Sequence, residues 1–239
     1  MIALARPDDP NFATLRSAAV ALGELCDALV FVGGCVTGLL VTAVRAQSIR
    51  ATQDVDVVVQ AASLREYHAM ESAVAARGFA HDVSADAPIC RWLRAGLKLD
   101  LMPSSAGVLG FHNRWYPLAM QSAEIVQLPE GPRIRLILPP VFVATKLEAL
   151  RGRGRGDYLA SHDLEDIVTV VDGRGELLAE AAGAGAALRQ YLAEQLAALL
   201  ESNDFLSALP GHLPGDAASQ RRSPEVLRRL RGLAALRGT

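Results

Sequence analysis

Asp54 and Asp56 stand two apart in the run Asp54-Val55-Asp56-Val57-Val58-Val59. Three β-branched residues in succession predict a strand within a sheet, and the two-residue period of a strand turns both carboxylates to one face. Two carboxylates about 4 Å apart repel by about 4 kcal/mol at an effective dielectric of 20, so a partly buried pair calls for a cation or a shared proton. A third acid, Asp100, lies in Lys98-Leu99-Asp100-Leu101-Met102, where Leu99 and Leu101 face the opposite side. If the two strands are neighbours, the three acids can hold two magnesium ions about 3.5 to 4 Å apart, the arrangement used in phosphoryl transfer. An isolated Asp-x-Asp at a sheet rim is usually just solvated, so its context carries the argument.

The nearest context is Gly33-Gly34, between a buried strand predicted over Ala28 to Val32 and a helix predicted over Val36 to Val44. Backbone N–H groups at such a junction, aided by the helix dipole, can accept a phosphate. A dinucleotide site is the rival reading, because Gly33, Gly34 and Gly38 follow a strand and Asp54 lies 20 residues after Gly34. A Rossmann fingerprint requires G-x-G-x-x-G, which this stretch does not supply, and it has no use for Asp56. His162 beside Asp163 lacks a second histidine at ligand spacing, so zinc is not expected, and His68, His81, His112 and His212 are scattered. No Ser/His/Asp triad is apparent.

The elements that must position these residues follow from periodicity. Apolar residues at helical spacing predict a helix from Asn11 to Asp27, before the strand at Ala28. Ser63 with Glu66 forms a capping box ahead of a helix that Gly78 closes. Ile89 to Leu93 and Leu97 to Met102 predict a hairpin around Ala95-Gly96, and Ala123 to Gln127 with Arg133 to Leu138 a second around Pro129 to Pro132. After Pro139-Pro140 the chain is helical: Val141 to Leu150, Leu164 to Val171, Glu176 to Glu201 with a break at Gly183-Ala184-Gly185, and Pro224 to Leu236. Leu209 to Ser223 reads as a loop. The fold class expected is α+β: a mixed-sheet core flanked by helices over residues 1–138, followed by a helical domain over residues 139–239.

With 239 residues and 51% hydrophobic content, the chain can bury one or two ordinary cores. It shows no secretory leader and no spanning segment, so a cytoplasmic location with no membrane partner is expected. Cys26, Cys35 and Cys90 lack paired spacing and read as reduced packing residues. A net charge of -2 excludes attraction to nucleic acid by bulk electrostatics. Two local basic clusters stand out, Arg151, Arg153 and Arg155 in one loop, and Arg221, Arg222, Arg228, Arg229, Arg231 and Arg237 at the C-terminus. Each is either a solvated surface or a contact for RNA.

Val32-Gly33-Gly34, then Asp54-Val55-Asp56-Val57, then a strand carrying Asp100, resembles the nucleotidyltransferase core of the DNA polymerase β superfamily. The 19 residues between Gly34 and Asp54, ending in Arg50-Ala51-Thr52 and Gln53, make it similar to the branch of AbiEii-type toxins and predicted nucleotidyltransferases. Lys146-Leu147-Glu148-Ala149-Leu150, an Arg/Gly loop and His162-Asp163-Leu164-Glu165-Asp166-Ile167 resemble that branch's K…R…D-x-x-D region. The resemblance spans about Val30 to Asp172.

It implies a metal-dependent nucleotidyltransferase in which Asp54, Asp56 and Asp100 are catalytic and bind Mg2+ or Mn2+. Gly33, Gly34, Arg50, Thr52, Lys146, Asp163 and Asp166 would bind the nucleoside triphosphate, ATP among the candidates. The implied acceptor is RNA such as tRNA, or alternatively a small hydroxylated molecule, and the toxin association implies an antitoxin protein as partner. A non-catalytic nucleotide-binding module is the reading from another class, and the retained acids count against it.

Overall fold

A computed structural model describes residues 8–43, 49–153 and 156–236. The chain divides into two compact units, one comprising Leu4–Leu39 and Ala51–Leu138, the other Met1–Ala3, Leu40–Arg50 and Pro139–Thr239. The architecture is α+β, with a mixed seven-stranded sheet and a helical C-terminal region.

The first unit opens with helix α1 (Phe12–Leu22), followed by a 3-10 turn over Gly23–Asp27. Leu15, Ala18, Ala19 and Leu22 share the buried side of α1 at helical spacing, and Gly23 ends it at a positive φ of 58°. Strand β1 (Leu29–Val32) is buried throughout, as its unbroken apolar run requires. A 3-10 turn at Gly34–Val36 and helix α2 (Thr37–Leu40) follow. The helix predicted over Val36 to Val44 is therefore reduced to one turn: Val41 to Ala43 are not helical, and Val44 lies outside the described residues. Apolar residues without a spaced polar face do not define a period, which is why the run misled.

Strand β2 (Val55–Val59) is followed by helix α3 (Leu64–Ala76). Its capping box forms in part: Ser63 Oγ accepts from Glu66 N at 3.3 Å, while Glu66 Oε2 reaches one residue further back and accepts from Ala62 N at 2.7 Å. Short strand β3 (Ala80–His81) leads to β4 (Arg91–Arg94) and β5 (Leu97–Pro103), which form the predicted hairpin. Its two turn residues, Ala95 and Gly96, both have positive φ, the geometry that matches the twist of a tight hairpin. Helices α4 (Ala106–Leu109) and α5 (Tyr116–Ser122) precede the second hairpin, β6 (Glu124–Gln127) with β7 (Arg133–Leu136).

The strand order is β3-β4-β5-β2-β1-β7-β6. β2 runs parallel to β5 and antiparallel to β1, and β7 returns parallel to β1 on its other side. The two acid-bearing strands are thus central neighbours. Val55, Val57, Leu99 and Leu101 alternate with the acids and are fully buried, which fixes the register against a one-residue slip.

The second unit contains α6 (Pro139–Arg153), α7 (His162–Gly173), α8 (Leu177–Ala182), α9 (Ala186–Leu200), α10 (Asn203–Ala208), α11 (Ala217–Gln220) and α12 (Ser223–Ala234). The predicted break falls between α8 and α9. The segment expected as a loop, Leu209 to Ser223, instead carries a 3-10 turn at Leu209–His212 and the one-turn α11, capped by Asp216. Helix α7 packs against α6 and α12 and is buried along most of its length. Its C-terminal carbonyls find cationic partners: Arg229 Nη1 donates to Val171 O at 2.9 Å and to Asp172 O at 2.8 Å. Arg222 Nε donates to the Asp172 carboxylate at 3.0 Å. Two members of the C-terminal basic cluster therefore hold the helical unit together. No helix among the described residues is long and apolar enough to cross a membrane.

Candidate active site

The register of the central strands determines how the acids meet. Asp56 on β2 is the direct partner of Asp100 on β5, and aligned residues of neighbouring strands project to the same face. Asp54 lies two residues before Asp56 and shares that face. Val32, at the end of β1, pairs with Asp56 from the other side, which brings Gly33 beside the Asp56 carboxylate. Gly33 has a positive φ of 72°, and a Cβ there would lie 2.6 Å from Asp56 Cγ and 2.7 Å from Asp56 Cβ. Only glycine fits, on both counts.

An arginine completes the cluster. Arg91 on β4 is the register partner of Asp100 from the side opposite β2. Its guanidinium grips Asp100 with two bonds, Nε to Oδ1 at 2.8 Å and Nη2 to Oδ2 at 2.7 Å. The same Nη2 donates to Asp54 Oδ2 at 2.7 Å, so one nitrogen bridges two of the three acids. The Asp100 side chain is 10% exposed, Arg91 17% and Asp54 35%, which grades the site from interior to rim. Hydrogen bonding to Asp100 raises the Arg91 pKa further above its already high ordinary value, so the guanidinium is a permanent cation.

Burial, reinforced by Asp100 and Asp56, pushes the Cys90 thiol up to about 12, and burial raises Cys35 as well. All three cysteines are free and buried, and at neutral pH these two are protonated packing groups rather than nucleophiles. Tyr67 on α3 donates its hydroxyl to Leu101 O at 2.8 Å, tying α3 to the strand that carries Asp100. Thr52 is held by its backbone N–H to Asn11 Oδ1 at 2.7 Å, and its hydroxyl donates to Asp54 O at 3.3 Å. In this structure Thr52 thus steadies the entry to β2.

The donor set suits a hard divalent cation, because every candidate ligand is a carboxylate oxygen. Among the described residues no three carboxylate, histidine or cysteine side chains are gathered around a single point as they stand. Asp54 and Asp100 instead lie around a guanidinium nitrogen at hydrogen-bond distance, wider than the 2.0 to 2.1 Å of a magnesium–oxygen contact. In this structure Arg91 is the cation that these oxygens hold.

The remaining candidates form a second cluster within the helical unit. Lys146 Nζ on α6 lies 2.6 Å from Asp166 Oδ2 and 3.3 Å from Asp163 Oδ1, both on α7. Arg50 Nη2 approaches Asp166 Oδ2 at 3.3 Å, and its Nε approaches Glu165 Oε2 at 3.4 Å. The Asp166 side chain is only 3% exposed, so its charge is balanced inside the protein by the two cations. Lys146, Asp163, Asp166 and Arg50 are thus brought together with one another.

The helix-dipole argument for a phosphate at Gly33-Gly34 is corrected, since the helix that follows is a single turn. Gly33 is explained by the close approach of Asp56. Arg91 escaped the sequence reading, yet a signal existed: with a two-residue turn at Ala95-Gly96, counting outward pairs Arg94 with Leu97 and hence Arg91 with Asp100. No protein-family model matches the chain, and no curated protein is significantly similar to it.

Proposed function

We propose that the protein is a metal-dependent nucleotidyltransferase that moves a nucleoside monophosphate from a nucleoside triphosphate to an acceptor hydroxyl. The observation that carries this reading is the direct pairing of Asp56 with Asp100 on neighbouring central strands, with Asp54 on the same face and Gly33 packed against Asp56. Three partly buried carboxylates on one face of a sheet are costly unless they serve a cation.

Asp54, Asp56 and Asp100 are the residues that would hold the ions. When bound, magnesium supplies positive charge against that developing on the transferring phosphoryl group. Asp100 would bind the metal that activates the acceptor hydroxyl, or serve as its general base. The acceptor oxygen then bonds to the α-phosphorus as that phosphorus parts from the bridging oxygen, and pyrophosphate leaves with its electron pair. Lys146, Asp163, Asp166 and Arg50 would serve as the helical unit's internal charge network.

For the acceptor we favour RNA, with tRNA the first to test, over a small hydroxylated molecule. Of the basic clusters, Arg222 and Arg229 are committed to α7, Arg228 to Glu225 at 2.7 Å, and Arg151 approaches Glu148 at 3.8 Å. The side chain of Arg153, with Arg155 and Arg237, lies outside the described residues. Arg221 and Arg231 are therefore the described C-terminal arginines with most to offer an RNA backbone.

A second reading, a non-catalytic nucleotide-binding module, draws on one observation, that Arg91 already neutralises Asp54 and Asp100. Asp54→Asn separates the two. Loss of transfer with unchanged unfolding supports the enzyme, and an Asp54→Asn variant as active as the wild type would sink it.

A further inference from the structure

We infer that Arg91 is a resident counterion for the metal-binding acids, a cation that a divalent metal must displace before Asp54 and Asp100 can serve as its ligands. The inference rests on the nucleotidyltransferase reading for the identity of the site, and on the Arg91 geometry for the competition itself. Arg91 takes both Asp100 oxygens and one Asp54 oxygen, the three atoms coming within 2.7 to 2.8 Å of guanidinium nitrogens. Those oxygens can close around a small dication only by leaving the wider guanidinium, and two adjacent positive charges would repel in a partly buried site.

The backbone of Arg91 stays pinned opposite Asp100 by the β4–β5 ladder, so the exchange needs no change in the sheet. Only the side chain moves, and a long arginine chain has the rotatable bonds to reach solvent from the sheet surface. In the metal-free protein the guanidinium also removes the repulsion between Asp54 and Asp100 that would otherwise oppose folding. One residue thus stabilises the acids before metal binds and sets the metal concentration at which they take it up. Purely structural pairing makes a different prediction, because there the loss of Arg91 would loosen the acids and weaken metal binding.

The test is Mn2+ titration of the full chain, read by the electron paramagnetic resonance signal of free Mn2+, for the wild type, Arg91→Gln and Asp100→Asn, with thermal unfolding measured in parallel. Removal of a competing cation tightens the apparent Mn2+ dissociation constant, by about tenfold if Arg91 holds the acids for all but a tenth of the time. The expected results are tighter binding in Arg91→Gln, weaker binding in Asp100→Asn, and a metal-free Arg91→Gln that melts lower than wild type but is restored by Mn2+. An unchanged or weakened Mn2+ affinity in Arg91→Gln overturns the inference, as does an absence of Mn2+ binding by every variant. If Arg91→Gln does not fold, Arg91→Lys should tighten Mn2+ binding by a smaller factor, and equal or weaker affinity there overturns it too. Tighter Mn2+ binding in a protein that transfers no nucleotide would uphold Arg91 and reject the enzymatic reading; nucleotide transfer with unaltered Mn2+ affinity would do the reverse.

Discussion

Gly33 and Asp56 occupy one another's space: the carboxylate of Asp56 lies where a side chain on residue 33 would have to be. The tight turn after β1 therefore does more than end a strand. It leaves a gap for the acid on the adjacent strand, and it requires a positive φ of 72° to do so.

Gly33→Ala should accordingly carry two penalties, backbone strain and collision with Asp56. A destabilisation of about 1 to 3 kcal/mol is expected from the strained φ alone, measured by urea unfolding. A change smaller than about 0.5 kcal/mol, the range of an ordinary surface substitution, would mean that the close approach is not real.

Lys146 balances Asp163 and Asp166 in the helical unit, with Asp166 almost wholly buried. Lys146→Met should destabilise that unit by about 3 to 5 kcal/mol, because it leaves a buried negative charge under-compensated. Adding Asp166→Asn to the same chain should recover part of the loss. Two single effects that simply add would show that the pair is not coupled.

The C-terminal arginines should separate into two groups. Arg222→Gln and Arg229→Gln each remove charge-assisted bonds to α7 and should cost about 1.5 to 3 kcal/mol of stability. Arg231→Gln is expected to stay within about 0.5 kcal/mol of the wild type. Equal effects at all three sites would argue against the anchoring role of Arg222 and Arg229.

Acid should weaken the fold in part through His212, whose Nε2 lies 2.8 Å from Tyr158 O. Burial lowers its pKa, so the folded protein resists a proton that the unfolded chain accepts. Its contribution is complete above the ordinary histidine value of about 6.5 and is lost as pH falls through the lowered folded value. Urea unfolding at pH 7.5 and pH 5 should show a smaller loss on acidification for His212→Gln than for wild type. An identical loss would remove His212 from the account.

Local signals were legible and distant ones were not. The Ser63 cap, the break at Gly183-Ala184-Gly185 and both hairpins follow from turn and capping chemistry within a few residues. The same-face placement of Asp54 and Asp56 follows from the period of a strand. What no local rule supplies is that β5 returns beside β2, or that β7 inserts parallel to β1, because those pairings join segments dozens of residues apart. The one-turn helices α2, α4 and α11 are too short for periodicity to define. Arg91 lay within reach, since its register follows from Ala95-Gly96, but an arginine flanking a turn reads as a solvated charge until the acid opposite it is recognised.

Nucleotide transfer at the Asp54, Asp56 and Asp100 cluster is tested most directly by measuring transfer itself. Purified protein is incubated with magnesium, total tRNA and each nucleoside triphosphate labelled at the α-phosphate, beside Asp56→Ala as control. Label entering RNA with the wild type alone, and pyrophosphate released in equal amount, is the expected result. Label absent from RNA, and no pyrophosphate released with any of the four triphosphates, would contradict it.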